Sequence, residues 1–216
     1  MTVKPDTLTA AKKASNYLII RTAAIRGQDG RHWYDDARSM LSSLCEERGW
    51  DWFTFCKVLG ATSPQCPVWM NIRHTIRVMT ALQTCDNVTE AVNSVPGLTA
   101  QIRKSTIRAI DSDSFDTLGP KTACFARNVY GDLSAVTLDT WMGQFVGFVP
   151  KRAGSVTTKT VSAPYTDTIN LVARCLNWQP AEVQAAVWTY ASNTLGNSNH
   201  GGSDFGEMIE KAIRTA

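Results

Sequence analysis

Apolar residues recur every three to four positions along most of the chain, which is the spacing of one face of an α-helix. The first stripe, after the cap candidate Thr7, consists of Leu8, Ala11, Ala14, Leu18 and Ala24. Similar stripes continue almost to the last residue, and no segment alternates in the way that indicates a β-strand. The pattern therefore predicts an all-α protein of about ten helices.

Glycine and proline clusters divide these helices, because both residues interrupt helical backbone. The clusters lie at residues 27–30, 49, 60–67 and 96–97. They leave two short predicted helices, over residues 52–59 and 86–92, and Asp86 is the expected cap of the second.

A polar connection over residues 111–119 follows a predicted helix over 98–110. Its only apolar anchors are Phe115 and Leu118. Pro120 is predicted to begin the next helix, because proline has no N–H to leave unpaired at the first helical position. The segment thus has the form of a helix, a short hairpin at about 111–120 and a second helix.

The C-terminal third continues the helical pattern with two interruptions. We predict a helix over residues 139–148, capped by Asp139, and then a loop over 151–163. Two helices follow, over 164–177 and 180–195. A second loop over 197–203 precedes a last amphipathic helix. The expected organisation is a helical domain of residues 1–150, the loop 151–163, and C-terminal helices 164–216 that pack on the same core.

Composition narrows the class of protein. Hydrophobic residues make up 44% of the 216-residue chain and charged residues 19%, which predicts a folded core rather than disorder. The net charge of +3 permits nucleic-acid binding without requiring it. No apolar run is long enough to cross a membrane and no export signal is seen, so we expect a cytoplasmic protein without a membrane partner.

Cysteine and histidine spacing gives no sign of a metal site. The six cysteines include no C-x-x-C pair and are interpreted as reduced core thiols. His32, His74 and His200 lie far apart in the sequence, without the spacing of metal ligands. We therefore expect no metal and no cofactor.

Lys121 and Asp139 are the most informative pair in the chain. They lie 18 residues apart, each at the expected start of a helix, in Gly119-Pro120-Lys121-Thr122-Ala123 and Leu138-Asp139-Thr140. An amine and a carboxylate that face one cleft can act together at a sugar carbon, because the amine attacks while the carboxylate stabilises positive charge.

These two motifs and their spacing resemble the helix-hairpin-helix Gly/Pro-Asp DNA glycosylases, which are related to endonuclease III. The resemblance covers roughly residues 35–150 and is strongest over 117–141. It implies a two-lobed helical fold with a helix-hairpin-helix motif. The implied partner is double-stranded DNA with a flipped, modified base, bound by a monomer in a bacterial or phage-infected cell.

The resemblance also implies roles for individual residues. Lys121 would attack C1′ of the sugar and form a Schiff base, and Asp139 would stabilise the oxocarbenium-like transition state. Gln65 would fill the gap left by the flipped base. Trp69, Trp141 and Phe148 would line the base pocket. The remaining expected DNA contacts are Arg103, Lys104, Thr117, Gly119 and Thr122.

The sequence departs from the family at three points. Thr117 replaces the first hairpin glycine, Trp141 stands where the family has a histidine, and no cysteine quartet follows that could hold an iron–sulfur cluster. Each signal also has a structural interpretation. Asp139 can simply cap its helix, the tryptophans can be core residues, and Arg103, Lys104 and Arg108 can form a solvated face.

Three functions therefore stay open. The resemblance favours a DNA base-excision glycosylase that acts on a modified or damaged base and also cleaves the strand through its lysine. A second hypothesis keeps the fold but displaces a group on a modified thymine, as in phage DNA hypermodification. The third is a helical DNA-binding protein without catalysis.

Overall fold

The computed structural model describes residues 10–138, 159–194 and 205–216, with side chains described for 16–138, 163–194 and 205–216. Within these ranges the chain is all-helical and has no β-strand. Its ten α-helices are α1 (Ala10–Arg26), α2 (Trp33–Arg48), α3 (Trp52–Thr62), α4 (Val68–Leu82), α5 (Val88–Ser94), α6 (Ala100–Ile110), α7 (Pro120–Tyr130), α8 (Lys159–Leu176), α9 (Pro180–Thr194) and α10 (Phe205–Thr215). The all-α class predicted from the sequence is confirmed for these residues.

Two predicted helix boundaries are wrong. Helix α3 continues to Thr62 instead of ending before Gly60, because close packing around Gly60 and a hydroxyl bond from Thr62 to the Val58 carbonyl extend the helix. Helix α8 begins at Lys159 within the predicted loop 151–163, so Pro164 lies inside it, near its start. Residues 151–158 lie outside the described residues, as do the helix predicted at 139–148 and the loop at 197–203.

Two finer predictions also differ from the structure. Asn87 caps α5 in place of Asp86, and its side-chain oxygen accepts a bond of 2.8 Å from the Glu90 amide. Leu18, assigned to the apolar stripe of α1, is 61% exposed, whereas Ile20 and Ala24 of that helix are fully buried. A stripe drawn through Leu18 therefore misplaces the buried face of α1.

The described residues form two compact units that interleave along the chain. Residues 10–33, 133–138 and 159–194 form the first unit, and residues 34–132 with 205–216 form the second. Each unit therefore combines segments that are distant in the sequence. The reason is that the first and last helices pack with partners distant in the sequence, α1 with α8 and α9, and α10 with α4.

The first unit is a small helical core. Its buried residues come from α1, α8, α9 and the extended segment before residue 139, and include Ile20, Val136, Ile169, Val172 and Val187. The helices approach closely where the chain leaves α1. A side-chain carbon on Gly27 would lie 2.1 Å from the Ala186 carbonyl oxygen, so only glycine fits there.

The second unit is built around α3. Every residue of this helix from Phe55 to Thr62 is buried, and the helix packs against α4, α6 and α7. Gly60 makes the closest approach, because a side-chain carbon there would lie 2.8 Å from Leu118 Cδ1 and 3.0 Å from Ala126 Cβ. Helix α3 therefore fixes the positions of the connection 111–119 and of α7.

The cysteines of the described residues are not joined in disulfides. The interpretation as core thiols holds for Cys45 and Cys56, which are buried, whereas Cys175 is exposed. Burial raises the pKa of Cys45 to about 12 and that of Cys66 to about 11. In this part of the chain no helix is both long and apolar enough to cross a membrane.

We expect Gly60→Ala to lower the free energy of unfolding by about 1–3 kcal/mol, because the added methyl group overpacks the contact with α7. Urea denaturation measures this change. Gly119→Ala is the matched control. Gly119 has an extended φ of −65°, and a methyl group there meets only Thr122 Oγ1 at 3.5 Å. Equal losses for the two variants would contradict the close packing at Gly60.

His74 on α4 is a buried imidazole beside a turn that contains Gly97. Its side chain is 8% exposed and its Nδ1 has no hydrogen-bond partner. Gly97 has a φ of +85°, and a side-chain carbon there would lie 3.0 Å from His74 Cε1. Burial lowers the pKa of His74, and the neighbouring charges of Arg73 and Arg77 lower it further.

This pKa shift predicts a loss of stability in acid. The unfolded chain protonates His74 near its ordinary pKa of about 6.5, whereas the folded protein resists protonation to lower pH. The contribution of His74 is therefore complete above about pH 6.5 and declines below it, by at most about 1.4 kcal/mol per pH unit. Urea denaturation between pH 7.5 and 5.5 should show a shallower decline for His74→Gln than for wild type. Identical profiles for His74→Gln and wild type would refute the effect.

Candidate nucleic-acid interface

The predicted hairpin is a short 3₁₀ turn held between α6 and α7. The turn, Phe115–Thr117, is capped by Ser114, whose hydroxyl accepts a 3.0 Å bond from the Asp116 amide. Phe115 and Leu118 are buried, as their roles as apolar anchors require. The Asp116 carboxylate pairs with Arg127 and so attaches the turn to α7.

An aromatic cluster supports the turn from behind. The Phe115 ring lies 4.8 Å from that of Phe53 and 5.6 Å from that of Tyr130, both in edge-to-face geometry. Phe53 and Tyr130 also meet each other at 5.5 Å. Such edge contacts stabilise a fixed arrangement of rings, so the turn rests on a rigid base although its outer surface is polar.

The front of the turn borders a depression of about 540 Å³. Its lining residues are Lys104, Ile107, Arg108, Asp111, Ser112 and Thr117. Lys104 and Arg108 are exposed and lie one helical turn apart on α6, so both cations face the same side. Two of the residues predicted to contact DNA, Lys104 and Thr117, are thus brought to one concave surface.

The backbone of the turn differs from the glycine hairpin of the glycosylases that the sequence resembles. Thr117 does not have a positive φ, because Gln65 and Asn177 are the non-glycine residues with that conformation among those described. The hydroxyl of Thr117 is buried without a hydrogen-bond partner. The 3₁₀ turn therefore takes the place of the left-handed glycine turn and leaves a polar atom at the edge of the depression.

Helix α7 begins with an uncapped turn. Gly119 precedes the helix, Pro120 is its first residue, and the cap residue, a glycine, has no side chain that could accept a bond from the first amides. The Thr122 hydroxyl instead donates to the Gly119 carbonyl at 2.9 Å. Free amides at a helix start favour an anion. Lys121, which is partly exposed, lies in this first turn.

Arg103 makes backbone contacts that the sequence did not predict. Its guanidinium donates to the carbonyl oxygens of Asn93, Val95 and Leu98, at 2.7, 2.9 and 3.0 Å. These bonds attach the start of α6 to the end of α5. Arg103 is therefore committed to the protein backbone, whereas Lys104 beside it is exposed.

Gln65 occupies the break between α3 and α4 in a strained conformation. Its φ is +56°, a region that residues other than glycine rarely adopt, and its side chain is exposed. Strain of this kind persists only where the surrounding structure enforces it. Gln65 therefore has the exposure that its predicted contact with DNA requires.

A buried polar network enforces the shape of this break. The Thr62 hydroxyl lies 2.6 Å from Asn71 Oδ1 and 3.2 Å from the Thr75 hydroxyl. Asn71 Nδ2 in turn donates to the Leu59 carbonyl at 3.2 Å. All three side chains are at most 3% exposed, so the end of α3 and the start of α4 are joined by hydrogen bonds in the core.

Of the three residues predicted to line a base pocket, the structure describes Trp69. Trp69 is partly buried on α4, and the ammonium of Lys211 on α10 lies 4.0 Å from the centre of its ring. This cation–π contact occupies one ring face. Trp141, Phe148 and the predicted catalytic Asp139 lie outside the described residues.

Two groups of hydrogen-bonding side chains in this region were not predicted from the sequence. One is the network of Thr62, Asn71 and Thr75. The other is Lys57, whose ammonium donates to the carbonyl oxygens of Ile110 and Ser112 at 3.1 and 2.5 Å. The sequence signal for Lys57 was its position as a polar residue within the apolar run of α3.

Comparison with known proteins places the chain in a family. The model of a family of unknown function (DUF7178) matches residues 8–195. The chain belongs to this family. No curated protein and no solved structure matches it. The family description assigns no activity.

We expect Thr62→Val to lower the free energy of unfolding by about 1–3 kcal/mol, because it leaves Asn71 Oδ1 without its closest donor in a dry interior. Thr80→Val on the exposed surface of α4 is the matched control and should change stability by less than about 0.5 kcal/mol. Chemical denaturation compares the two variants. A Thr62→Val protein as stable as the control would show that the network does not stabilise the fold.

Proposed function

We propose that this protein is a DNA base-excision glycosylase that acts on a modified or damaged base and cleaves the strand through a Schiff base on Lys121. The observation that carries the proposal is the unit of α6, turn and α7. It combines two exposed cations, a concave surface and an uncapped helix start that bears the lysine. The division into two compact units agrees with the two-lobed fold that the resemblance implies.

The charges around the turn suit a phosphate backbone. Lys104 and Arg108 supply two cations on one side of the depression, and the free amides at the start of α7 supply hydrogen-bond donors. Contacts of this kind position DNA without reading its sequence. With a net charge of only +3, the protein should bind intact duplex weakly and in a salt-dependent manner.

Gln65 supports the extrusion of a nucleotide. Its side chain is exposed at a left-handed position of the break between α3 and α4. An amide at such a point can enter the space left by a flipped base and satisfy the orphaned partner. The proposed partner is double-stranded DNA with one flippable base, in the cytoplasm of a bacterial or phage-infected cell.

The chemistry assigns one role to each residue of the predicted pair. The neutral Lys121 amine attacks C1′, the C1′–N bond to the base breaks, and the base leaves with a proton. The Asp139 carboxylate stabilises the positive charge on the sugar in the transition state. The lysine nitrogen loses a proton, and the C1′–O4′ bond then breaks while O4′ gains a proton, which gives the open-chain iminium. The iminium loses its C2′ proton, and the 3′ phosphate leaves by β-elimination.

Borohydride trapping tests this chemistry on a duplex that contains an abasic site. The reductant converts the Schiff base into a stable amine, so wild-type protein should form a covalent adduct with DNA. Lys121→Ala should form none, and Asp139→Asn should form it slowly. Lys104→Ala is the control lysine variant, which should need more protein but reach the wild-type adduct level at saturation.

The results also separate the alternatives. An adduct that persists in Lys121→Ala would remove this lysine from the mechanism. Folded wild-type protein that binds the duplex without forming an adduct would refute strand cleavage. Product analysis on duplexes with hypermodified thymine would then distinguish displacement of a group on the base from binding alone.

A further inference from the structure

Lys57 is the buried cation of the second unit. Its side chain is 4% exposed on α3, between the Phe53 ring and the end of α6. Its ammonium donates to the carbonyls of Ile110 and Ser112 and lies 4.9 Å from the centre of the Phe53 ring. In the part of the chain that the structure describes, no carboxylate pairs with it.

The end of α6 compensates this charge. Ile110 is the last residue of α6, and Ser112 follows within two residues. Carbonyl oxygens at a helix C-terminus lack intrahelical partners and carry the negative end of the helix dipole. A buried lysine directed at them therefore satisfies two acceptors, and the dipole offsets part of the cost of burying the ammonium.

Helix α3 attaches both elements of the proposed DNA surface. Lys57 holds the beginning of the connection 111–119, and one turn later Gly60 contacts Leu118 at its end. At the end of the helix, Thr62 fixes the break that presents Gln65. The turn and the Gln65 break are thus connected through about two turns of one buried helix.

We propose that Lys57 is a positioning residue for DNA binding, which clamps the turn to α3 and so sets the turn relative to Gln65. This inference rests on the proposed function. Lys57 does not itself contact DNA, because its ammonium is buried and its bonds are directed at the protein backbone. Its removal should therefore alter the geometry of the turn without removing a phosphate contact.

Lys57→Met tests the clamp, since methionine keeps an unbranched apolar chain but has neither charge nor donor. Hydrogen–deuterium exchange of peptides over residues 110–118 should be about tenfold faster than in wild type, because the segment opens more often once its two bonds to Lys57 are lost. Exchange in the first unit should be unchanged. Lys57→Arg keeps the charge and donors and should restore most of the protection.

Salt dependence of DNA binding separates positioning from direct contact. Affinity of Lys57→Met for an abasic duplex should fall about tenfold, while the slope of log K against log salt stays at the wild-type value. Lys104→Ala is the matched control, and loss of its phosphate contact should make the slope shallower by about 0.9. Partial recovery of affinity in Lys57→Arg is expected.

Three results would overturn the inference. The first is wild-type exchange over residues 110–118 in Lys57→Met. The second is faster exchange with undiminished affinity, and the third is a change of salt slope equal to that of Lys104→Ala. If Lys57→Met does not fold, Lys57→Gln takes its place in both measurements. A wild-type protein without DNA affinity would refute the proposed function. Hydrogen–deuterium exchange alone would then show whether Lys57 holds the connection 111–119.

Discussion

Complete burial of the second half of α3 is the constraint on which the second unit depends. A helix enclosed on all sides has no solvent for its polar groups, so each must find a partner inside the protein. Lys57 meets this requirement with the carbonyls at the end of α6, and Thr62 meets it with Asn71 and Thr75. Gly60 meets the spatial requirement, because no side chain fits there.

These internal contacts explain why the candidate surface is ordered although its outer face is polar. The turn at 115–117 rests on aromatic rings and is tied to α3 and α7 by charged side chains. Proposed binding groups such as Lys104 remain exposed because other residues hold the backbone. Arg103 and Lys104 are adjacent in sequence, yet Arg103 donates to three backbone carbonyls and Lys104 is exposed.

The helical pattern was readable because periodicity is a local property. The connection at 111–119 with its anchors Phe115 and Leu118, the start of α7 at Pro120 and the amphipathic last helix were all predicted correctly. Errors arose where a distant contact decided the outcome. Packing around Gly60 extended α3, and partners for α1 lay more than a hundred residues away, so Leu18 was placed on the wrong face.

The sequence by itself determined the fold class, most helices, the polar turn and the lysine at the start of α7, because each depends on neighbours within a few residues. Tertiary structure alone decided that Arg103 donates to backbone carbonyls and that Lys57 caps the end of α6. It also decided that Gln65 has a left-handed backbone conformation. It also decided that the two units interleave. These features depend on which helices meet, and the free energy of such contacts is not encoded in any single segment.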